Sequence, residues 1–179
     1  MEIRIDHVLA ATVTAPYRVL VTRPTGAAVR GRIEAALADS ACEMVLLDFT
    51  AVDCLDFSCA DEVIAKLLLG LGLAGGRPVA VALRGLCDEQ REAVTHVLEH
   101  HGLAVTSVAT AGPPELLGAT DEDLRTAFAA VWARGPLDAP MLAELAGWDL
   151  ERAERALDML ARHRVVRAVG TTVHPLRSL

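Results

Sequence analysis

The strongest structural signal in this 179-residue chain is the stretch Val45-Leu46-Leu47-Asp48-Phe49-Thr50-Ala51-Val52-Asp53-Cys54-Leu55-Asp56-Phe57-Ser58. Its first part, residues 44–49, is a nearly continuous apolar run of the kind that fills a central strand buried on both faces. The stretch ends on Ser58, and an acid follows three residues later at Asp61, just before an apolar helical pattern. This spacing resembles a capping box, which predicts that a helix starts at Ser58.

Other strand and helix patterns lie both before and after this stretch. Apolar runs at residues 78–83 and 103–108 predict two more buried strands. Amphipathic patterns predict helices that start near Thr25 and near Asp88. Because strands alternate with helices, we expect an α/β fold in which a mixed sheet is covered by helices.

This first unit is predicted to span residues 1–118. At its amino end, residues 3–9 begin with alternation, and residues 17–21 form a second apolar run, so two short strands joined by a turn are expected. At its other end, residues 111–115 are rich in Gly and Pro, which indicates a break. We place the domain boundary between residues 118 and 119.

The second unit, residues 119–179, has the pattern of three helices followed by a hairpin. Thr120, Asp138 and Asp149 each precede an apolar helical pattern and are predicted to cap it. Gly170-Thr171 lies between two β-type runs and predicts a tight hairpin turn. This order of elements predicts a small α+β winged helix-turn-helix domain.

The stretch that ends at Ser58 also resembles the strand–loop–helix consensus of STAS domains, the sulfate-transporter and anti-sigma-factor-antagonist fold. The next residues, Ser58-Cys59-Ala60-Asp61-Glu62, resemble the SFADE signature of a STAS-like branch. In the STAS family, a partner kinase phosphorylates the serine after an aspartate, and phosphorylation releases the anti-sigma factor. Alignment places Phe57 at the phosphorylated position and Ser58 at the serine after it. The resemblance therefore implies phosphorylation or partner contact at Asp56, Phe57, Ser58 and Asp61.

Ser58 also has a simpler interpretation, as a helix cap without a regulatory role. Its spacing to Asp61 already explains why a serine stands there. A phosphate would be tolerated at a helix amino terminus, because the free N–H groups and the helix dipole favour negative charge. The cap is the favoured interpretation, because the serine is shifted by one residue from the family's modified position.

Acidic residues are dense around this segment and could be interpreted in two ways. Five of them lie within fifteen residues: Asp48, Asp53, Asp56, Asp61 and Glu62. A calcium loop needs oxygen ligands at a short regular spacing around a glycine turn, and this spacing is not present. We therefore expect a solvated rim at the strand ends that faces a partner.

The second unit resembles the MarR-type and related bacterial winged helices, which suggests contact with nucleic acid. Its candidate contact residues lie on the third helix and the wing: Arg152, Arg155, Arg162, Arg164 and Arg167. However, residues 120–179 carry 8 Arg against 9 Asp/Glu, and the whole chain has a net charge of −7. Because phosphate-backbone binding depends on a basic surface, the hypothesis that this unit contacts protein is slightly favoured over the hypothesis that it contacts DNA.

Several other classes of function are not expected. The start of the chain has no secretory pattern, and its apolar runs are too short and broken for a bilayer. The four cysteines lack metal-ligand spacing, and the pair His96 and His100 lacks the glutamate of an HExxH zinc motif. Motifs for nucleophilic catalysis and phosphate-cradling glycine loops are also lacking. We therefore expect a cytoplasmic protein without catalytic residues, metal or cofactor.

The favoured hypothesis is a regulatory adaptor. Its STAS-like domain would bind a protein partner, either an anti-sigma factor or a histidine-kinase-like ATPase, and its winged helix would be a second interaction module. The alternative is a transcription regulator that binds DNA as a homodimer and uses the STAS-like domain as a sensor. A subunit of a larger assembly that has lost both activities is a weaker third hypothesis. No membrane partner is expected.

Overall fold

The computed structural model of the chain describes residues 1–13, 18–73, 79–109 and 112–176. The elements of the first part are, in chain order, β1 (Glu2–Arg4), α1 (Ile5–Ala10), β2 (Val19–Leu20), α2 (Arg23–Ala38), β3 (Met44–Asp48), β4 (Cys54–Leu55), α3 (Phe57–Ala60), a π-helical turn (Asp61–Ala65), α4 (Lys66–Leu73), β5 (Ala80–Arg84), α5 (Asp88–His100), β6 (Ala104–Val108) and β7 (Glu115–Gly118). The elements of the second part are α6 (Glu122–Arg134), α7 (Ala139–Ala146), α8 (Leu150–Arg162), β8 (Val166–Val169) and β9 (Thr172–Pro175).

A mixed five-stranded sheet flanked by helices forms the centre of the first part, as predicted. Its strand order is β1-β3-β5-β6-β7, in which neighbouring strands are parallel except for the antiparallel pair β6 and β7. The apolar run of residues 44–49 contains β3, an interior strand between β1 and β5 rather than the central one, and the side chains of Val45 and Leu47 are completely buried. The strands predicted at residues 78–83 and 103–108 are confirmed as β5 and β6, although residue 78 lies outside the described residues.

The prediction of a strand through residues 3–9 is wrong beyond Arg4. The chain turns into helix α1 at Ile5, and Ile5 and Leu9 are both completely buried. These two residues are four apart, so a helix places both on one face against the core, whereas the alternation at Ile3 and Ile5 had suggested a strand. The expected second strand is reduced to β2, which pairs with β4, and residues 14–17 lie outside the described residues.

Two helices start one or two residues away from the predicted positions. Helix α2, predicted to start near Thr25, starts at Arg23, where the hydroxyl of Thr22 caps it and accepts a hydrogen bond from the backbone N–H of Thr25 at 3.4 Å. At α6 the cap is Asp121 rather than Thr120, and its Oδ1 accepts from the backbone N–H of Leu124 at 2.8 Å. In both cases the capping side chain reaches the N–H three residues on.

The second part contains the three helices and the hairpin that the sequence predicts. Asp138 caps α7 and Asp149 caps α8, as expected. The hairpin β8–β9 turns at Gly170-Thr171. Two backbone hydrogen bonds, at 3.0 and 2.8 Å, also join Leu137 to Val173, so the segment before α7 lies beside the hairpin.

Strand β7 was not predicted, and it connects two apolar clusters. The sequence before it is rich in turn-forming residues, and the strand itself has only four residues. Leu117 packs into the cluster under the sheet, whereas Leu116 packs into the cluster of α6, α7 and α8. Successive side chains of a strand point to opposite faces, which explains how neighbours join different clusters. The domain boundary after residue 118 stays a prediction.

Across residues 1–13, 18–73, 79–109 and 112–176, no helix combines the length and the apolar character that a membrane crossing requires.

Candidate functional site

The segment Asp56–Ser58 lies at the start of α3, and its cap differs from the prediction. Asp56 is the capping residue, because its Oδ1 accepts hydrogen bonds from the backbone N–H of Cys59 at 2.8 Å and from the hydroxyl of Ser58 at 2.9 Å. Ser58 is therefore inside the first helical turn and half-buried. The predicted capping box of Ser58 and Asp61 is wrong, because the extended backbone that a cap needs occurs at Asp56.

We expect Asp56→Ala to cost more stability than Ser58→Ala. The first change removes the helix cap and lowers the free energy of unfolding by about 1 kcal/mol. The second removes one partly exposed hydrogen bond between side chains and costs about 0.5 kcal/mol. Urea unfolding of both variants checks this order. If Ser58→Ala were the more destabilising change, the assignment of the cap to Asp56 would be wrong.

Phe57 follows the cap and exposes its ring to solvent. It is 51% exposed, and its ring meets the ring of His96 on α5 edge-on, with the ring centres 5.3 Å apart. A shallow groove of about 320 Å³ lies between them, and its lining residues are Phe57, Arg91, Glu92, Thr95, His96, Glu99 and Leu117. We call this the Phe57 surface. The sequence indicated Phe57, but it indicated only a polar helical face for His96.

Asp61 and Glu62 lie in the π-helical turn after α3, where they bind cations of the same chain. Glu62 is only 4% exposed. Its carboxylate accepts hydrogen bonds from Arg30 at 2.8 Å, from Arg23 at 2.9 Å and from Lys66. The charge of this buried acid is therefore balanced by three basic side chains, two of which come from α2.

Asp61 belongs to the same ion-pair network. Its carboxylate binds Arg23 and the Nε2 atom of His101, each at 2.8 Å. Burial by itself raises the pKa of the Asp61 carboxyl, but the hydrogen bonds from His101 and Arg23 and the charge of Lys66 hold that pKa below its ordinary value. Its charge is thus committed to residues of α2, α4 and the end of α5 rather than to a solvated rim.

The close approach of α2 to this network depends on a glycine. A Cβ atom at Gly26 would lie 3.0 Å from Cβ of Glu62 and 3.2 Å from Cα of Cys59. Arg23, Arg30 and His101 were not predicted, because they are about 30 to 40 positions from the acids that they bind. The sequence did carry one signal of this contact: Gly26 lies inside a helical pattern, and a glycine in that position indicates close packing.

Asp48, at the carboxyl end of β3, is also not part of a solvated rim. It is buried, and its Oδ2 accepts from Arg84 at 2.6 Å. Its Oδ1 accepts from the hydroxyl of Thr50 at 2.6 Å and from the backbone N–H of Thr50 at 2.9 Å. Burial acts to raise the pKa of the Asp48 carboxyl, but these hydrogen bonds and the charge of Arg84 lower it to about 2.

We therefore expect a stability loss in acid that depends on Asp48. The pKa of this group is lower in the folded chain than in the unfolded chain, so its contribution is present above about pH 4 and disappears as the pH falls toward 2. Asp48→Asn should lower the free energy of unfolding by up to about 2 kcal/mol at neutral pH. Below pH 4, the free energy of unfolding of this variant should depend less steeply on pH than that of the parent chain. Urea unfolding at several pH values tests this. An unchanged slope in the variant would contradict the prediction.

Two of the three arginines predicted for nucleic-acid contact on α8 have partners within the chain. Arg152 binds both oxygens of Asp123 on α6, at 2.8 and 2.6 Å, and its guanidinium lies 4.6 Å from the ring centre of Trp148. Arg155 binds Glu151 at 2.5 Å, one turn away on the same helix. A phosphate would have to compete with these carboxylates for both side chains.

The remaining three arginines follow in sequence, and two of them are directed toward the first part. Arg164 has a positive φ of 57° and donates a hydrogen bond to the carbonyl oxygen of Leu71 at 3.0 Å. Arg167 lies 4.0 Å from Glu43. Arg162 is exposed at the end of α8. The five predicted residues therefore do not form one basic surface.

Comparisons of the chain with models of known protein families, with curated proteins and with solved structures give no match. In the part of the chain that the structure describes, no group of three His, Cys, Asp or Glu side chains is placed to hold a metal ion.

Proposed function

We propose that the chain is a non-catalytic regulatory adaptor. Residues 1–118 form a STAS-like domain that binds a protein partner, an anti-sigma factor or a histidine-kinase-like ATPase, through the Phe57 surface. Residues 119–179 form a winged helix that is a second interaction module. The observation that supports this most is the exposed ring of Phe57, which stands beside His96 over a groove at the start of α3.

The Phe57 surface has the composition of a protein contact. Large aromatic side chains are enriched at protein interfaces, where they act as anchors in the centre of the buried area. The charged groups that line the groove have both signs: Arg91, Glu92 and Glu99, all on α5. An apolar centre with a mixed polar rim suits a folded protein better than it suits a polyanion.

The STAS resemblance supports the same location. The order of interior strand β3, loop and short helix α3 matches the stretch that carries the resemblance, and a mixed sheet stands behind it. Phe57 occupies the position that aligns with the family's phosphorylated serine. A hydroxyl is lacking there, so we propose that this surface recognises its partner by apolar contact rather than by a phosphorylation switch at that position.

The DNA-binding alternative has less support. Arg152 and Arg155 are engaged with carboxylates, and Arg164 and Arg167 are directed toward the first part. Backbone phosphates contribute most of the affinity for DNA, and each of these arginines would have to leave its partner in the chain to bind one.

The adaptor proposal predicts that Phe57→Ala weakens partner binding. Removal of a central aromatic anchor commonly costs more than 2 kcal/mol, so we expect the dissociation constant to rise by at least about thirtyfold. Interferometry with purified anti-sigma factors and histidine-kinase-like ATPases from the same organism measures this. Leu69→Ala is the matched control, because Leu69 is an exposed apolar residue on α4. Equal effects of the two changes would contradict the proposal.

A titration with DNA separates the adaptor from the alternative. Pooled genomic fragments are added at about 150 mM salt, where weak non-specific binding is suppressed. We expect no sequence-selective retention. Tight, selective binding that disappears in the double variant Arg155→Ala with Arg162→Ala would establish the DNA-binding regulator instead.

A further inference from the structure

The outer surface of α7 and α8 exposes apolar side chains that a folded domain usually buries. Met141 and Leu145 lie one helical turn apart on α7, and Leu150 begins α8 directly after the tight turn. These three residues are 45–49% exposed, although Leu142 between them is completely buried. Helix α7 therefore has apolar residues on two sides, and only one side is covered by its own domain. A concentration of exposed apolar side chains is typical of a contact surface.

Exposed acidic side chains lie on the same two helices. Glu144 lies next to Leu145 on α7, and Glu154 and Asp158 follow Leu150 at intervals of four on α8, all of them exposed. Among the described residues, no ion pair joins any of these three acids to a basic side chain. We call Met141, Glu144, Leu145, Leu150, Glu154 and Asp158 the α7–α8 face.

The charge of the α7–α8 face indicates which kind of molecule can bind to it. Nucleic acid is disfavoured, because its phosphates would meet uncompensated carboxylates. A second copy of the same face is disfavoured, because an isologous contact brings the same acids of both chains together. A partner with basic residues around an apolar stripe satisfies both the charge and the apolar contacts.

The spacing of the apolar residues indicates the shape of that partner. Apolar groups one helical turn apart, on helices that also carry exposed acids, match an amphipathic helix whose anchors recur every three to four residues. We propose that the α7–α8 face binds a basic amphipathic helix of a partner protein. This inference rests on the proposed role of residues 119–179 as an interaction module, and it adds the face and the chemistry of the partner.

The test uses a defined probe and the full chain. The probe is a fluorescent helical peptide of about 18 residues with Leu on one side and Lys on the other, and the control peptide has Glu in place of every Lys. Fluorescence anisotropy should show saturable binding of the Lys peptide and no binding of the Glu peptide. Equal binding of both peptides, or binding of neither, would overturn the inference.

Two pairs of substitutions locate the binding. Leu145→Ser with Leu150→Ser should weaken binding of the Lys peptide by at least about tenfold. Glu154→Lys with Asp158→Lys should weaken the Lys peptide and create affinity for the Glu peptide. Because all four residues are exposed, these variants should retain the circular dichroism of the parent chain. Val169→Ser is the control, since Val169 is a similarly exposed residue of the hairpin.

Other outcomes assign the face differently. A homodimer detected by light scattering and lost in the Leu145→Ser, Leu150→Ser variant would identify a second copy as the occupant and overturn the inference. Equal weakening by Val169→Ser would show that the peptide binds elsewhere. Phe57→Ala should leave peptide binding unchanged. A negative result for the α7–α8 face can therefore be told apart from a negative result for the proposed partner contact at the Phe57 surface.

Discussion

Glu62→Ala is expected to lower the free energy of unfolding by about 3 kcal/mol, since removal of one member of a buried ionic group leaves the others uncompensated. Arg23, Arg30 and Lys66 all direct their charges at this carboxylate, which is almost completely buried. Arg23 is the most exposed of the three and can return to solvent, which keeps the cost at the lower end of the range. Urea unfolding monitored by circular dichroism measures the change.

Glu34→Ala is the matched control for this variant. Glu34 also pairs with Arg30, at 3.4 Å, but it is exposed on the surface of α2. An exposed ion pair between residues four apart contributes about 0.3–0.5 kcal/mol, so the control should be nearly as stable as the parent chain. Similar losses in both variants would show that the burial of Glu62 is not what makes it important.

Gly85→Ala is expected to cost about 4 kcal/mol, from the sum of backbone strain and overpacking. Gly85 follows β5 with a φ of +76°, a conformation that residues with a Cβ atom rarely adopt. An added Cβ would also lie 2.6 Å from the backbone nitrogen of Thr50, whose turn is held by Asp48. The added atom would therefore push apart the ends of β3 and β5. Thermal and urea unfolding of the variant measure the loss.

Gly102→Ala separates the two causes. Gly102 has a similar φ of +63°, but no atom lies within 4 Å of the place where its Cβ would be. Only the backbone strain remains, so the expected cost is about 1 kcal/mol. If the two glycine variants were equally stable, close packing against Thr50 would have no role in the effect of Gly85→Ala.

The local elements followed from the sequence where neighbouring residues determine them. The apolar run at residues 44–49 could hardly be anything but a buried strand, and Asp138 and Asp149 cap helices because a carboxylate there reaches the N–H groups of the next turn. Where two neighbouring side chains could cap, the choice was wrong, as at Ser58 and Thr120. The backbone conformation determines which of two such residues caps the helix, and the surrounding packing determines that conformation.

The candidate surfaces depended on contacts between distant residues. Local sequence indicated Phe57 as a contact residue, since the residues around it carried the resemblance. It could not show that His96 stands beside the ring, or that Arg23 and Arg30 neutralise Glu62. Those pairs are separated by more than 30 positions, so periodicity and motif spacing do not connect them.

For the charge of the second part, too, the sequence determined one property and the tertiary structure another. The sequence by itself determined that residues 120–179 carry slightly more acid than base, and that this weakens the case for DNA. Only the tertiary structure decided which charges remain available, because it pairs Arg152 with Asp123 across two helices and leaves Glu154 exposed. Net charge is a sum over residues and can be counted along the chain. A surface is defined by which of those charges meet in space, and folding alone brings them together.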